Sequence, residues 1–453
     1  MVSVIKQIRS KWLATLVVAG LLLGNCVAAT GATWAISQKI PIGTNVVRIL
    51  ADPQRTWVYA IDRQNSDILF INLLTGSVQK KIYVGKDPTD MDIDATGNFL
   101  YIANKGPGTG IPGSWRIGVV ALSNQTFVTS YITSVDAVNV TAGRSGLLFY
   151  NSGFDNWNGG DAHALNTDTG VDLGGFAIVK TRMVIFSNKT RLFGQYTYTG
   201  NLGAMGAFDV SSNQITLVDS LYYSPYPYGW DYDNYSLSGD DRLLAYGKVL
   251  FNSTNFTDQI GQFQEQVYAL NRDGTVAFGQ NSIWDTTTFP IHGDATQITN
   301  MPFATTVMAS DSQANALYAF NNADNSLYVI EQTTTHGIPF RWLARYGLGT
   351  NDAAEAQDPD NDGFDNLQEW MLDSNPTNAT PALRLEWMTN PQLKVQSTSA
   401  ARWYELQRTT NLVSANWQVV SQLQGLGSNL VFDVTSDRSM RTQGFYRIKP
   451  KLY

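Results

Sequence analysis

A chain of 453 residues is longer than one ordinary hydrophobic core serves, so two or three domains, or one large repeat array, are expected. Only 15% of residues are charged and the formal net charge is −7, which excludes the basic footprint that nucleic acid recruits. A single cysteine, Cys26, excludes an internal disulfide framework, leaving burial, sheet pairing and metal as the sources of stability.

The chain begins with Lys6, Arg9 and Lys11 and no acid, continues into an apolar run from Trp12 to Leu23, and reaches small residues at Ala28, Ala29 and Ala32. This order predicts a secretory signal peptide over residues 1–29, cut after Ala28 or Ala29, with no membrane span remaining. Cleavage takes the formal charge from −7 to −10. Cys26 follows Asn25, a poor residue before a lipidated cysteine, so lipoprotein anchoring is not expected. The mature protein is read as secreted, held at the cell surface or periplasmic, with bacterial export favoured.

Residues 34–332 carry an internal repeat. A polar turn at Ala51–Thr56 leads into a strand from Trp57, Asn65-Ser66 turns the chain into Ile68–Leu73, Thr75-Gly76 turns it into Val78–Val84, and the pattern restarts at Pro88. Fainter copies lie at 140–150, 185–196, 237–246, 270–278 and 309–320. Units of about forty residues that cannot bury their apolar faces alone predict four-stranded blades around an axis, seven by count of the anchors. Ile82-Tyr83-Val84-Gly85-Lys86-Asp87-Pro88-Thr89, followed by Asp94-Ala95-Thr96-Gly97-Asn98-Phe99-Leu100-Tyr101-Ile102-Ala103-Asn104, resembles the YVTN family of surface-layer and lactonase-like propellers. That resemblance implies a seven-bladed propeller, in a family that includes both enzymes and pure binding proteins.

Two aromatic loops interrupt the repeat. Phe154–Asp161 carries Trp157, and Tyr222–Tyr235 carries Tyr226, Tyr228 and Trp230 beside carboxylate and amide groups. Flat rings with polar neighbours suit stacking on sugars or gripping a peptide, although packing on the propeller face explains them as well. His163 with Asp161, or His292 with Asp294, would offer an acid–base pair if loops converge at the propeller mouth, and the favoured reading of each histidine is a solvent-facing turn residue.

Residues 336–380 read as a helical linker around Asp358-Pro359-Asp360-Asn361-Asp362-Gly363-Phe364-Asp365-Asn366-Leu367-Gln368-Glu369. Calcium seeks six to eight oxygens, and this spacing presents carboxylates from Asp358, Asp360 and Asp362, the Phe364 carbonyl, Asn366 and a returning Glu369, with Gly363 at the sharp turn. The flanks, Gly337–Gly347 and Asn366–Asn378, resemble the thrombospondin type 3 and dockerin-like calcium segments of secreted bacterial proteins. Asp373 and Asn375 would add oxygens if the chain folds back. A single complete loop argues against cohesin docking.

Strands return over residues 381–453, at 383–387, 393–395, 403–408, 417–423, 430–434 and 444–448, predicting a small β-sandwich. Trp403–Leu412, Trp417–Val420 and Gly444–Ile448 resemble the fibronectin-like terminal modules of exported verrucomicrobial proteins. The fold expected is all-β: a seven-bladed propeller, a short helix–calcium loop–helix linker and a small sandwich. The functional reading is a binding protein for an extracellular polymer, glycan or protein ligand, with calcium as its one cofactor. The alternative is a lactonase-like propeller hydrolase.

Overall fold

A computed structural model describes residues 4–7, 17–18, 33–106, 116–152, 161–179, 182–197, 203–212, 214–221, 235–289, 294–311, 315–379, 383–388, 391–400, 402–413, 416–439 and 444–451. They fall into two compact units, residues 40–330 and residues 1–39 with 331–453.

The strands in chain order begin with β1 (Val4–Gln7), β2 (Val17–Val18) and β3 (Thr33–Pro41). A four-stranded sheet follows, β4 (Arg48–Ala51), β5 (Trp57–Asp62), β6 (Asp67–Asn72) and β7 (Ser77–Tyr83), then a second, β8 (Pro88–Ile93), β9 (Phe99–Asn104), β10 (Arg116–Ala121) and β11 (Thr126–Ile132). Next come β12 (Asn139–Ala142), β13 (Leu147–Asn151), β14 (Asp161–Asn166) and β15 (Asp172–Val179), and then β16 (Val184–Ile185), β17 (Arg191–Thr197), β18 (Gly203–Asp209) and β19 (Thr216–Leu221). Between these two sets, β15 and β17 meet through the pair Ile178↔Tyr196. Two more four-stranded sheets hold β20 (Tyr235–Leu237), β21 (Leu243–Tyr246), β22 (Val249–Asn252) and β23 (Asn255–Gln262), and β24 (Val267–Leu270), β25 (Val276–Gly279), β26 (Ser282–Asp285) and β27 (Thr296–Asn300). The last joins β28 (Met308–Ser310), β29 (Ala316–Asn321) and β30 (Ser326–Thr333) to β3.

The five fainter repeat copies coincide with the first two strands of successive sets, β12–β13, β16–β17, β20–β21, β24–β25 and β28–β29. A recurring turn explains part of this regularity. Asp52, just before β5, accepts a hydrogen bond from the Tyr59 hydroxyl at 2.6 Å, and Asp311, just before β29, accepts one from Tyr318 at 2.6 Å. Asp94 stands at the same place before β9 and accepts from the backbone N–H groups of Asn98 and Phe99, each at 2.7 Å.

First strands pack on first strands in a cycle, β4 on β8, β8 on β12, β12 on β16, β16 on β20, β20 on β24, β24 on β28, and β28 back on β4. The middle strands are buried on both faces because each sheet has a neighbour on either side. Alternate residues therefore serve different cores. Val58, Ala60, Leu69 and Ile71 pack with Tyr318, Phe320, Leu327 and Val329 of the last sheet, whereas Tyr59, Ile61, Ile68 and Phe70 pack with Met91, Leu100 and Ile102 of the second. Backbone braces from side chains supplement the cores: Asp90 and Asp92 of β8 accept from the N–H groups of Val140 and Ala142 of β12, at 3.2 and 2.8 Å.

The other unit contains α1 (Phe340–Arg345), a 3₁₀ turn (Asp352–Ala354) and α2 (Asn366–Leu372), then β31 (Arg384–Trp387), β32 (Gln392–Gln396), β33 (Trp403–Thr409), β34 (Gln418–Gln424), β35 (Leu430–Asp433), α3 (Thr435–Ser439) and β36 (Phe445–Lys451). The strands form a three-stranded sheet, β31-β32-β35, and a five-stranded sheet, β2-β1-β36-β33-β34. One core lies between them, built from Leu385, Leu393, Val395, Leu430 and Phe432 of the first sheet and Tyr404, Leu406, Tyr446 and Ile448 of the second. Clean alternation of buried and open residues along β32, β35 and β36 is what a sheet with one covered face requires. The segment 336–380 and the terminal sheets fall within the same compact unit. Among the described residues no helix is long and apolar enough to cross a membrane.

Candidate metal centre

The segment 358–369 curls because two residues take the left-handed conformation, Asn361 at φ 59° and Gly363 at φ 92°. At Gly363 an added Cβ would meet no atom within 4 Å, so glycine is needed for its backbone and not for space. Each aspartate spends one carboxylate oxygen on the loop itself. Asp358 Oδ2 accepts from Gly363 N at 3.0 Å, Asp360 Oδ1 from Asp362 N at 3.2 Å, and Asp362 Oδ1 from Phe364 N at 2.9 Å.

The opposite oxygens, Asp358 Oδ1, Asp360 Oδ2 and Asp362 Oδ2, are buried without a hydrogen-bond partner. Ligand atoms of these three aspartates all lie within 4.8 Å of one another. Two further orphans come from α2. Asn366, 0% exposed, donates through Nδ2 to the Ala354 carbonyl at 2.7 Å and leaves Oδ1 unpartnered. Glu369, 1% exposed, accepts from Ser374 Oγ at Oε1 at 3.2 Å and leaves Oε2 unpartnered.

Five buried, unsatisfied oxygens in one loop are costly unless a cation takes them. Electrostatics agrees with that reading. Burial, offset in part by the Ser374 hydrogen bond and reinforced by the charges of Asp360, Asp362 and Asp358, pushes the Glu369 carboxyl up to about 7. Burial, with the charges of Asp362 and Asp358, also raises Asp360, although the Asp362 backbone bond opposes it. Carboxylates so close stabilise one another's protonated forms, and a divalent cation reverses the preference. An all-oxygen donor set of four carboxylates and one amide fits a hard cation such as calcium.

The scaffold holds this set from three sides. Asn366 N donates to Gln357 O at 2.8 Å and Leu367 N to Glu355 O at 3.1 Å, closing the loop on the chain before it. Asp365, which the ligand pattern does not use, caps α2: its Oδ1 accepts from Gln368 N at 2.8 Å while Gln368 Oε1 accepts from Asp365 N at 3.2 Å. At the other end Arg402, from just before β33, donates to the Trp370 carbonyl at 2.8 Å, which also accepts from Asp373 N, and to the Met371 carbonyl at 3.3 Å, near the end of the helix. Ile338, Leu343, Ala354 and Trp370 form a small core beneath α2, and Phe364 and Leu372 pack into the core of the terminal sheets.

Asp373 and Asn375 are not drawn into the loop in the way the sequence suggests. Asp373 ends α2 at φ 58° and accepts from Ser399 Oγ, while Asn375 accepts from Thr377 N at 3.0 Å. Tyr226, Tyr228, Trp230, Trp157 and His292 lie outside the described residues. The partner described for His163 is Asp172. The histidine Nδ1 stands 3.0 Å from Asp172 Oδ2, which also accepts from Tyr150 Oη at 2.5 Å and from Ser134 Oγ, and the His163 and Tyr150 rings stack at 5.4 Å. His336 pairs with Glu355, and Thr335 N donates to Asp352 Oδ1 at 2.8 Å, fastening the 334–338 turn to the 3₁₀ turn. Of these supporting groups, the Asp365-x-x-Gln368 capping box was readable from spacing, whereas Arg402, Asp172 and Glu355 reach their partners across distances in sequence that carry no local signal.

No family profile matches this chain and no curated protein matches it. Among solved structures it is similar to the β-propeller domain of Cps50 (Swd1) from Myceliophteria thermophila, at 11% identity and a TM-score of 0.52 over 66% of this chain and 99% of that one. It is also similar to hydrazine synthase of Kuenenia stuttgartiensis, at 11% identity and a TM-score of 0.49 over 68% of this chain and 98% of that one. At such identities the first likeness speaks for the fold alone, and with the cyclic packing of the sheets it defines the class: the chain contains a β-propeller.

Proposed function

We propose that the protein is an exported seven-bladed β-propeller that binds an extracellular polymer, glycan or protein ligand, and that one calcium ion in the 358–369 loop holds its C-terminal β-sandwich module in shape. The observation that carries the calcium reading is the set of five buried oxygens without partners, one each from Asp358, Asp360, Asp362, Asn366 and Glu369. With the Phe364 carbonyl they amount to the six oxygens that calcium accepts as a minimum. Seven first strands in cyclic contact support the blade count, and two sheets around one core support the sandwich. The YVTN-like phrase at 82–104 and the thrombospondin type 3-like flanks agree with both.

Export rests on the basic start and the apolar run before Ala28. Calcium is plentiful outside the cell, so an exported chain meets the ion its loop would need. Cleavage after Ala28 or Ala29 would also remove β1, which pairs along β36, and β2, which pairs along β1, and leave β36 at the edge of its sheet.

Isothermal titration of the full mature chain with calcium tests the proposal. One site per chain is expected, lost in Asp360→Ala and in Glu369→Gln. Absence of binding in the wild type, or equal binding in both variants, refutes it.

A further inference from the structure

A run of hydrogen bonds leads from the 358–369 loop to residues 33–39 of β3, all inside one compact unit. It starts on α2. Asn366, whose Oδ1 is one of the unpartnered oxygens, donates through N to Gln357 O at 2.8 Å and through Nδ2 to Ala354 O at 2.7 Å. Leu367 N donates to Glu355 O at 3.1 Å. These bonds hold the segment 352–357 against the loop.

That segment in turn grips the turn after β30. Asp352 accepts from Thr335 N at 2.8 Å and from Thr335 Oγ1 at 2.9 Å, while Glu355 accepts from His336 N at 2.8 Å and pairs with His336 Nδ1. The turn closes on itself through Gly337 N to Thr334 O and Thr334 N to Ile338 O, each at 2.9 Å. α1 begins directly after it, and Leu343 of α1 shares one small core with Ile338, Ala354 and Trp370 of α2. The final link reaches β3. Thr33 and Thr333 meet through their hydroxyls at 3.2 Å, and the buried Glu331 carboxylate accepts from Ser37 Oγ and, at 3.1 Å, from Arg341 Nη2 of α1. A carboxylate taken out of water is stabilised only while its donors stay in place, so Glu331 couples the strand to the helix.

We propose that calcium in the 358–369 loop latches the N-terminal strand segment 33–39. With the ion bound, α2, the segment 352–357, the 334–338 turn and α1 are ordered together and hold the strand through Thr333 and Glu331. Without it, the repulsion among the loop carboxylates slackens α2, the hydrogen-bonded run loosens and residues 33–39 open. The inference rests on the calcium and export readings and adds what the ion controls. After the proposed cleavage residues 30–32 alone would separate the cut from β3, so the latched strand is the start of the mature chain. It stays open where calcium is scarce and docks where calcium is plentiful.

Hydrogen exchange of the full mature chain, with calcium and with chelator, is read at residues 33–39 beside a calorimetric calcium titration. Calcium is expected to slow exchange there about 10-fold. In Arg341→Ala and in Asp352→Ala one ion still binds per chain, and the calcium effect on 33–39 shrinks to under about 3-fold. Coupling is reciprocal, so calcium affinity in these variants falls by up to about 10-fold, a change that a merely structural Arg341 would not produce. Asp352 lies away from the buried Glu331 carboxylate, and its variant, checked for an unchanged melting temperature in chelator, guards against misfolding of Arg341→Ala. One ion bound with equal exchange at 33–39 in calcium and in chelator overturns the latch and leaves the calcium site standing. A wild-type effect that persists in full in both variants also overturns it, as does a rise in exchange throughout the chain on chelation, which is global unfolding. Absence of calcium binding removes the latch and the calcium reading together.

Discussion

Each loop aspartate divides its carboxylate between two tasks, one oxygen ordering the backbone and the other facing no donor. The division makes the side chains unequal to their amides or to alanine. Asp360→Ala removes a proposed ligand and a turn bond together, so calcium affinity should fall by roughly 100-fold or more, since even groups behind the ligands cost 10–100-fold when lost. The same change, or a chelator, should increase proteolysis between residues 340 and 380 while the propeller stays folded. Unchanged cleavage with and without chelator would refute this. Glu369 supplies a pH signature. In the ion-free protein its carboxyl is pushed up to about 7 from an ordinary 4.5, so the folded chain holds this proton more tightly than the unfolded one. Its contribution to stability is therefore full below about pH 4.5 and fades as pH rises to about 7. Melting temperatures in chelator should fall across that window relative to Glu369→Gln, and a constant difference between the two would contradict the assignment. The residues that carry the five unpartnered oxygens stand out in the sequence because the spacing of Asp358, Asp360, Asp362, Asn366 and Glu369 is the one a calcium loop would impose. The partner of His163 does not stand out, because Asp172 reaches it from the neighbouring strand and not from the adjacent turn.

At the scale of elements, α2 links the loop to the terminal sheets. Phe364 lies within the loop and packs on their core, Leu372 ends the helix in that core, and Arg402 ties the last turn of α2 to the start of β33. Phe364→Ala should destabilise this unit by about 2 kcal/mol, less than a fully buried Phe costs, while leaving calcium stoichiometry at one. Arg402→Ala should cost a similar amount, because it strips charged hydrogen bonds from two helix carbonyls. Chemical denaturation followed by tryptophan fluorescence checks both, and a change under about 0.5 kcal/mol in each would place the loop outside the fold of the sheets. Strands that bury one face, such as β32, β35 and β36, were legible by alternation, and the middle strands by continuous apolar runs. The fourth strands were less so. β11, β19 and β27 are largely exposed and carry Thr, Ser and Gln, so little apolar periodicity marks them. The short α3 likewise had no periodic stripe to read.

For the whole molecule, closure of the cycle is the decisive feature of the propeller. The core shared by the first and last sheets, with Val58, Leu69, Tyr318 and Phe320, joins segments some 250 residues apart, which no local pattern announces. Phe320→Ala should therefore cost about 3–5 kcal/mol and lower the melting temperature of the propeller without altering calcium affinity. The repeat fixed which residues form blades because every blade solves the same burial problem, while the packing of linker and terminal sheets into one unit depends on Phe364, Leu372 and Arg402 meeting residues far along the chain. Hydrogen exchange of the full mature chain, with calcium and with chelator, tests the central claim most directly. Chelation is expected to raise exchange across residues 334–379 and, through Phe364 and Leu372, across strands β31–β36, while residues 40–330 keep their protection. Exchange unchanged by calcium in 334–379, or changed only in the propeller, would contradict a calcium-braced terminal module.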